Sequence, residues 1–370
     1  MTLPNSDLKI PKTSKESSFK IVRNTIESLR NLIEAQPWND LKSLIILVHQ
    51  RAKMFERSVG DSTPTLHVCL RILKIAREEA LKVLLGGNAD FEENSTNRLF
   101  ASGDTTYETV IKSDLLDGVL SALDEFLVDI NTCSENISDL SLDLIHSDEL
   151  ILTRGFSQAA YHFLRRAAEK KRMFKVIVCE GYPDNLGHKF AEDLSKEGIN
   201  VILVPDSHAF GLMSRVNKVI IGCNVVYPDG TMKAPIGTHS VLLAAKHFTI
   251  PTYVCLPQYK LSPLPLKMSD SAPPLFTVLP TADPCNSSPD WLDGPAKILP
   301  IDDPVVTSND LSHRSLSNGP VVWMPRWELI PAGLVNLFLT NLGSHAPSYL
   351  YALGRELFHP LDIQMAISAR

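Results

Sequence analysis

The stretch NVILVPDSHAFGLMSRVNKVIIGCNVVYPDGTMKAPIGTHSVLLAAKHFTIPTYVCL, residues 200–256, decides the fold class. Its short apolar runs predict three strands, and its segments of helical spacing predict two helices between them. The strands are expected at 200–205, 218–226 and 252–256, and the helices at 208–215 and 238–248. Strands that alternate with helices in this way are typical of parallel sheets. The stretch therefore predicts an α/β fold with a Rossmann-like, doubly wound and mostly parallel sheet.

The same alternation extends in both directions from this stretch. Upstream it predicts strands at 151–153 and 174–180 and helices at 156–171 and 187–197. Downstream it is interrupted at 262–320, where 11 of the 25 prolines of the chain fall among serine, aspartate and asparagine. We interpret that segment as a Pro/Ser-rich insertion. A strand at 321–324 and helices at 331–342 and 347–357 are predicted to follow it.

The N-terminal part of the chain has helical periodicity only. Apolar stripes at 19–33, 41–55, 66–85 and 110–130 predict four amphipathic helices, and the polar segment 86–105 predicts a loop. We therefore divide the chain into a flexible N-terminus (1–18), an N-terminal helical domain (19–145) and the α/β domain (146–370).

Composition excludes several classes of protein. A formal net charge of -6 and a pI near 6.0 give no overall positive field for nucleic acid. The six cysteines are far apart, without CxxC or zinc-site spacing, so no metal site is expected and the thiols are expected to be free. No segment is apolar enough for a signal peptide or a membrane span, which favours the cytoplasm, with the nucleus as the alternative.

Ligands of open α/β sheets bind beyond the carboxyl ends of the strands, so the residues that follow each strand are the candidates for a site. Glu180 and Asp206 are the best acid candidates, although either can equally be a helix cap. The helix that opens at Gly237 and Thr238 offers free N–H groups to an anion. The chain has neither GxGxxG after its first strand nor a P-loop, so no nucleotide cofactor is expected.

Two further groups of residues leave alternatives open. Cys179 and Cys223 lie within or just after strands, where a buried, inert thiol is more common than a nucleophile. His188 and His239 begin helices at the same edge, where each can serve a polar site or a surface hydrogen bond. The basic residues at 165–172 end a helix, so they either complement its dipole or bind an acidic or phosphorylated partner.

Three segments together resemble one known family. They are VPDSHAFGLMSRVNKVIIG (204–222), IGTHSVLLAAKHFTIPTYVCLPQYKLSP (236–263) and WELIPAGLVNLFLTNLGSHAPSYLYALGRELFHP (327–360). They are similar to the regulatory subunits of translation initiation factor 2B, the guanine nucleotide exchange factor for initiation factor 2. Among these subunits they are most similar to the beta type.

The wider superfamily includes sugar-phosphate isomerases such as methylthioribose-1-phosphate isomerase, which carry a catalytic cysteine and an acid/base aspartate. The resemblance places Gly155 at the cysteine position and Asn224 at the aspartate position. An amide cannot transfer the proton that the carboxylate transfers. Ala234 and Pro235 also stand where the enzymes have Asn-Lys. The resemblance therefore implies a vestigial pocket without catalytic residues, made by Gly155, Glu180, Asp206, Asn224, Gly237 and Thr238.

The resemblance also implies partners. A beta-type subunit assembles with the alpha and delta subunits in a regulatory core, to which the gamma and epsilon subunits attach. Its helical domain helps sense phosphorylation of the alpha subunit of initiation factor 2, the signal of the integrated stress response. Candidates for the subunit interface are His188, His239, Lys260 and Tyr349. The alternatives are a sugar-phosphate isomerase with altered chemistry and a free-standing small-molecule binder.

Overall fold

The computed structural model describes residues 17–58, 63–85, 106–266, 293–300, 302–303, 322 and 324–368. The predicted flexible N-terminus (apart from 17 and 18), the loop at 86–105 and most of the insertion lie outside these residues. The N-terminal part consists of helices Ser18–Ala35 (α1), Leu41–Ser58 (α2), Thr63–Leu85 (α3), Lys112–Asp139 (α4) and Ser141–Leu144 (α5).

Strands and helices alternate through the rest of the chain. The strands are Leu150–Arg154 (β1), Lys175–Cys179 (β2), Asn200–Val204 (β3), Lys218–Gly222 (β4), Val225–Val226 (β5), Met232–Pro235 (β6), Thr252–Cys255 (β7), Trp327–Ile330 (β8), Leu337–Thr340 (β9) and Gly343–His345 (β10). The helices are Gln158–Glu169 (α6), Leu186–Lys196 (α7), Ala209–Met213 (α8), Thr238–His247 (α9), Leu350–Leu357 (α10) and Pro360–Ser368 (α11).

Seven strands form one sheet in the order β10-β9-β7-β4-β1-β2-β3, which is parallel except for β10. Strands β5, β6 and β8 form a separate antiparallel sheet. The strand order reverses between β1 and β4, which is where ligands bind in sheets of this kind. The predicted fold class is confirmed, whereas the domain boundaries stay a prediction. Among the described residues, every helix is too short or too polar to span a membrane.

Several predicted elements are wrong. The strand predicted at 218–226 ends at Gly222, and its last residues belong to β5 of the small sheet. Strand β9 lies within the segment predicted as a helix at 331–342, because Phe338, Leu339 and Thr340 are all buried in the sheet. A run of three buried residues has no period that separates a strand from a helix. Of the strand predicted at 321–324, the described residues 322 and 324 are not in a strand.

One face of α3 joins the helical part to the end of the chain. It carries four basic residues at helical spacing, His67, Arg71, Lys74 and Arg77, and each contacts the α/β part. Their partners are Leu261 O for His67, Leu357 O for Arg71, Glu356 O for Lys74 and the carboxylate of Asp362 for Arg77. The carbonyl groups at 356 and 357 lie in the last turn of α10, whose helix dipole favours nearby cations.

The pKa of His67 makes this contact sensitive to acid. The ring is fully buried, its Nδ1 lies 3.0 Å from Leu261 O, and burial lowers its pKa to about 4. The folded state therefore keeps His67 neutral at a pH at which the unfolded state protonates it. Stability is fully present above about pH 6.5 and decreases toward pH 4, by up to about 3 kcal/mol.

We expect His67→Gln to weaken this pH dependence. The measurement is urea unfolding between pH 7.5 and 5, a range in which aspartates and most glutamates stay ionised. His188→Gln is the control, because the side chain of His188 is 56% exposed. Equal slopes of unfolding free energy against pH for the wild-type chain and the His67→Gln variant would contradict the prediction.

Candidate functional site

A cavity of about 480 Å³ lies at the carboxyl ends of the central strands. Residues after β1, β2, β4 and β7 line it, as do residues of the small sheet. Asn131 and Ser134 of α4 also line it, so the helical part of the chain forms one wall. The volume suits a small molecule.

The structure brings only part of the predicted pocket to this cavity. Gly155, Asn224 and Thr238 line it, whereas Glu180, Asp206 and Gly237 are not among the lining residues. Asp206 nevertheless shapes the cavity, because its carboxylate accepts hydrogen bonds from the N–H groups of Gly181 (3.2 Å) and Tyr182 (2.9 Å). The pocket assignment of these six residues stays a prediction.

Arg154 is the central cation of the cavity. Its side chain is 5% exposed, and its Nη2 donates to Asp206 Oδ2 over 3.2 Å. The guanidinium also lies against Gly237, where an added Cβ would come within 2.6 Å of Nη2. Gly237 has a φ of 89°, which glycine adopts without steric cost, so the residue suits both the turn and the close approach of Arg154.

Glu328 occupies the helix end that the sequence suggested for an anion. Its carboxylate accepts a hydrogen bond from the N–H of His239 in the first turn of α9. Burial raises the pKa of Glu328, although the N–H groups of His239 and Gly237 favour its charged form. The protein thus supplies its own carboxylate at the position where the free N–H groups and the helix dipole favour a bound anion.

The two positions that the resemblance assigns to isomerase catalysis hold no catalytic side chain, although His162, Asp184 and Lys260 are among the other residues that line the cavity. Gly155 has no side chain and Asn224 has no ionisable group. The thiols of Cys179 and Cys223 are buried, and burial raises the pKa of each to about 12. A thiol with such a pKa is not a nucleophile at neutral pH. Among the described residues, no group of three or more His, Cys, Asp and Glu side chains is placed to hold a metal ion.

The candidate interface residues lie in different surroundings. Lys260 lines the cavity, and its Nζ donates to Cys223 O over 2.8 Å, so it faces inward. His239 contacts Glu328 through its backbone. His188 is exposed, with its Nε2 3.9 Å from Glu180. Tyr349 is 42% exposed and its ring stacks on that of His345 at 5.1 Å.

Local sequence patterns do not predict three residues that shape the site, Arg326, Trp327 and Glu328. They belong to β8 or directly precede it, and β8 pairs with β6 across more than 90 residues of sequence. The ring of Trp327 lies 5.3 Å from Lys233 Nζ and 5.0 Å from the Arg326 guanidinium carbon. No local signal predicts this pairing, because β8 follows the insertion.

The chain matches the model of the initiation factor 2 subunit family over residues 14–347. It is 28% identical to translation initiation factor eIF2B subunit beta of Dictyostelium discoideum, over 94% of this chain and 92% of that protein. It is 35% identical to the eIF2B subunit beta of Schizosaccharomyces pombe, over 67% of this chain and 57% of that protein. It is also 25% identical to a ribose 1,5-bisphosphate isomerase of Thermococcus kodakarensis, over 65% of this chain and 66% of that protein.

Solved structures have the same fold. The crystal structure of eIF2B beta from Chaetomium thermophilum matches with a TM-score of 0.67 at 20% identity, over 94% of this chain and 89% of that one. A chain of the tetrameric eIF2B beta2-delta2 complex from the same organism matches with a TM-score of 0.63 at 20% identity, over 93% and 90% of the two chains.

Proposed function

The chain belongs to the initiation factor 2 subunit family, and we propose that it is a beta-type regulatory subunit of the guanine nucleotide exchange factor for initiation factor 2. It acts by assembly, without catalysis of its own. Its partners are the alpha, gamma, delta and epsilon subunits of that factor, in the cytoplasm. Similarity to beta subunits over nearly the whole chain supports the assignment.

The noncatalytic role rests on the identity of the residues at two positions of the cavity and at the nearby end of α9. The two positions that matter for isomerase chemistry hold Gly155 and Asn224, and the helix end is filled by Glu328. A substrate phosphate would have to displace a carboxylate that accepts a hydrogen bond from the N–H of His239 in α9. Losing such charge-assisted hydrogen bonds is costly in a buried site.

The edge strand β3 supports a role in assembly. It pairs only with β2, so its other backbone edge is free in the described structure. Ile202 and Leu203 point to opposite faces of the sheet, yet they are 48% and 42% exposed. An exposed apolar edge promotes association with another chain. A delta-type subunit is the partner we assign to it, in line with the beta-delta complex among the similar structures.

The helical part of the chain is the region we assign to sensing the phosphorylated alpha subunit of initiation factor 2. Family membership supports this role, and the α3 contacts with Leu357 of α10 and Asp362 of α11 link the helical part to the last two helices of the chain's described residues. The test of the whole proposal is affinity purification of the tagged chain from native cytosol. Recovery of the other four subunits supports the proposal, whereas recovery of none overturns it.

A sugar-phosphate isomerase is the second candidate, favoured by the similarity to the ribose 1,5-bisphosphate isomerase and by the cavity itself. We expect the purified chain to give no turnover of ribose 1,5-bisphosphate or methylthioribose 1-phosphate above the rate without protein. Product formation followed by NMR is the measurement. Turnover that Arg154→Gln abolishes would instead establish the enzyme and contradict the noncatalytic proposal.

A further inference from the structure

The 170–175 loop, which connects α6 to β2 and includes the first residue of β2, combines four exposed cations with an exposed apolar side chain. The cations are Lys170, Lys171, Arg172 and Lys175. Met173 stands among them and is 74% exposed, the highest value among the large hydrophobic residues that the structure describes. This loop lies at the amino ends of the strands, opposite the cavity, so it has no part in the site described above.

The cations of this loop differ in their ion pairing from the cations of the preceding helical turn. Arg165 pairs with Glu169 at 3.0 Å, and Arg166 pairs with Asp139 at 2.9 Å. In the part of the chain that the structure describes, the four cations of the loop make no ion pair. The neighbouring Asp148 has an exposed carboxylate, but its single negative charge does not balance four positive charges. Their repulsion is lowered by salt or by an acidic partner, in addition to the dipole of α6, at whose carboxyl end they lie.

The backbone at Lys171 gives a second, independent observation. The N–H of Lys171 donates to Ala168 O (2.8 Å) and that of Arg172 donates to Ala167 O (3.1 Å), which is a Schellman motif. Lys171 holds its left-handed position at a φ of 61°, where glycine is favoured. The corresponding position after α7 is Gly198, whereas Thr249 holds it after α9. The chain thus keeps a charge at 171 at some cost to local stability.

The loop is also held in place. The N–H of Asp148 donates to Met173 O over 2.6 Å, and the N–H of Lys175 donates to Glu149 O over 2.9 Å. These bonds fix the backbone of the loop to the residues before β1. A fixed backbone presents Met173 and the cations in one arrangement, which lowers the entropy lost when a partner binds.

We infer that the 170–175 loop is a docking surface for an acidic segment of a partner protein, with an apolar side chain of that segment packed on Met173. Nucleic acid fits the surface less well. The exposed side chains of the loop include no aromatic ring on which a base can stack, and a long polyanion would extend over a chain of net charge -6. The inference does not depend on the proposed function.

The test uses a labelled twelve-residue peptide that consists of glutamates with a central leucine. Its binding to the full-length chain is measured. We expect affinity that falls as salt is raised. The variant Lys170→Gln/Lys171→Gly/Arg172→Gln is expected to bind about tenfold more weakly, since each exposed ion pair contributes about a factor of two. The wild-type chain is expected to bind the peptide with the central leucine more tightly than the same peptide with a central serine. The Met173→Ser variant is expected to bind both peptides equally.

A matched pair of glycine variants separates docking from a purely structural role. Lys171→Gly is expected to unfold at a higher temperature than the wild type while binding the peptide about twofold more weakly. Thr249→Gly makes the same backbone change at the end of α9 and is expected to leave binding unchanged. Tighter binding of a single-stranded RNA or of phosphatidylserine vesicles than of the peptide would overturn the inference, as would wild-type peptide affinity in the triple variant.

Discussion

Replacing Arg77 with methionine is expected to lower the free energy of unfolding by about 3–5 kcal/mol, because it leaves a buried carboxylate without its partner. Arg77 donates to both carboxylate oxygens of Asp362, over 3.0 and 2.7 Å, and to Glu108 over 2.9 Å. The side chains of Arg77 and Asp362 are 1% and 0% exposed. Burial alone would raise the pKa of Asp362, but the nearby His49 and the hydrogen bonds and charge of Arg77 lower it.

The measurement is urea unfolding at low protein concentration, followed by tryptophan fluorescence. Arg23→Met is the control, since the Arg23–Glu27 pair of α1 is about half exposed and contributes little. The double variant Arg77→Met/Asp362→Asn is expected to recover most of the loss, because both buried charges are gone. A loss below about 1 kcal/mol in the single variant would mean that this contact does not hold the two parts together.

Replacing Ile202 with lysine is expected to weaken association with a delta-type subunit by about 2–4 kcal/mol, roughly 30- to 1000-fold, the effect of losing a central apolar contact. Charge on an edge strand also opposes pairing with another strand. The fold is expected to remain intact, because Ile202 is 48% exposed. Binding of the purified variant to the immobilised delta-type subunit gives the measurement.

Ile46→Lys is the matched control for this prediction. Ile46 lies in α2 and is 47% exposed, so the change in residue and in exposed apolar area is nearly the same at a surface away from β3. We expect Ile46→Lys to bind like the wild type. An equal loss of affinity in both variants would mean that the added charge alone weakens association. Unchanged affinity of the Ile202→Lys variant would show that β3 is not part of the interface.

Local sequence patterns were sufficient for the fold class but insufficient for the site. Apolar strands such as Lys175–Cys179 and helices with one apolar face, such as α6, are predicted from short-range periodicity, and the structure confirms them. The strand at Leu337–Thr340 was predicted as a helix because its neighbours have no strand period. Its position in the sheet comes from parallel pairing with β7, about 85 residues earlier.

The site depends on such distant pairings. Gly155 and Asn224 are assigned to the pocket by the family resemblance, and both line the cavity. Glu328 was not found, because β8 reaches α9 only through its pairing with β6 in the small sheet. The role of Arg154 in the cavity is not predicted from the sequence, because it depends on contacts with Asp206 and Gly237 that no spacing encodes.

The most direct test of the central claim, that this chain works as an assembly subunit, is the mass of the chain with and without a delta-type subunit. Light scattering after size-exclusion chromatography measures it. We predict that the co-expressed chains elute as one species with equal amounts of both, and that the chain alone self-associates as its concentration is raised, because apolar surface stays uncovered. A stable monomer of 41.0 kDa that elutes apart from the co-expressed delta-type subunit would contradict the claim.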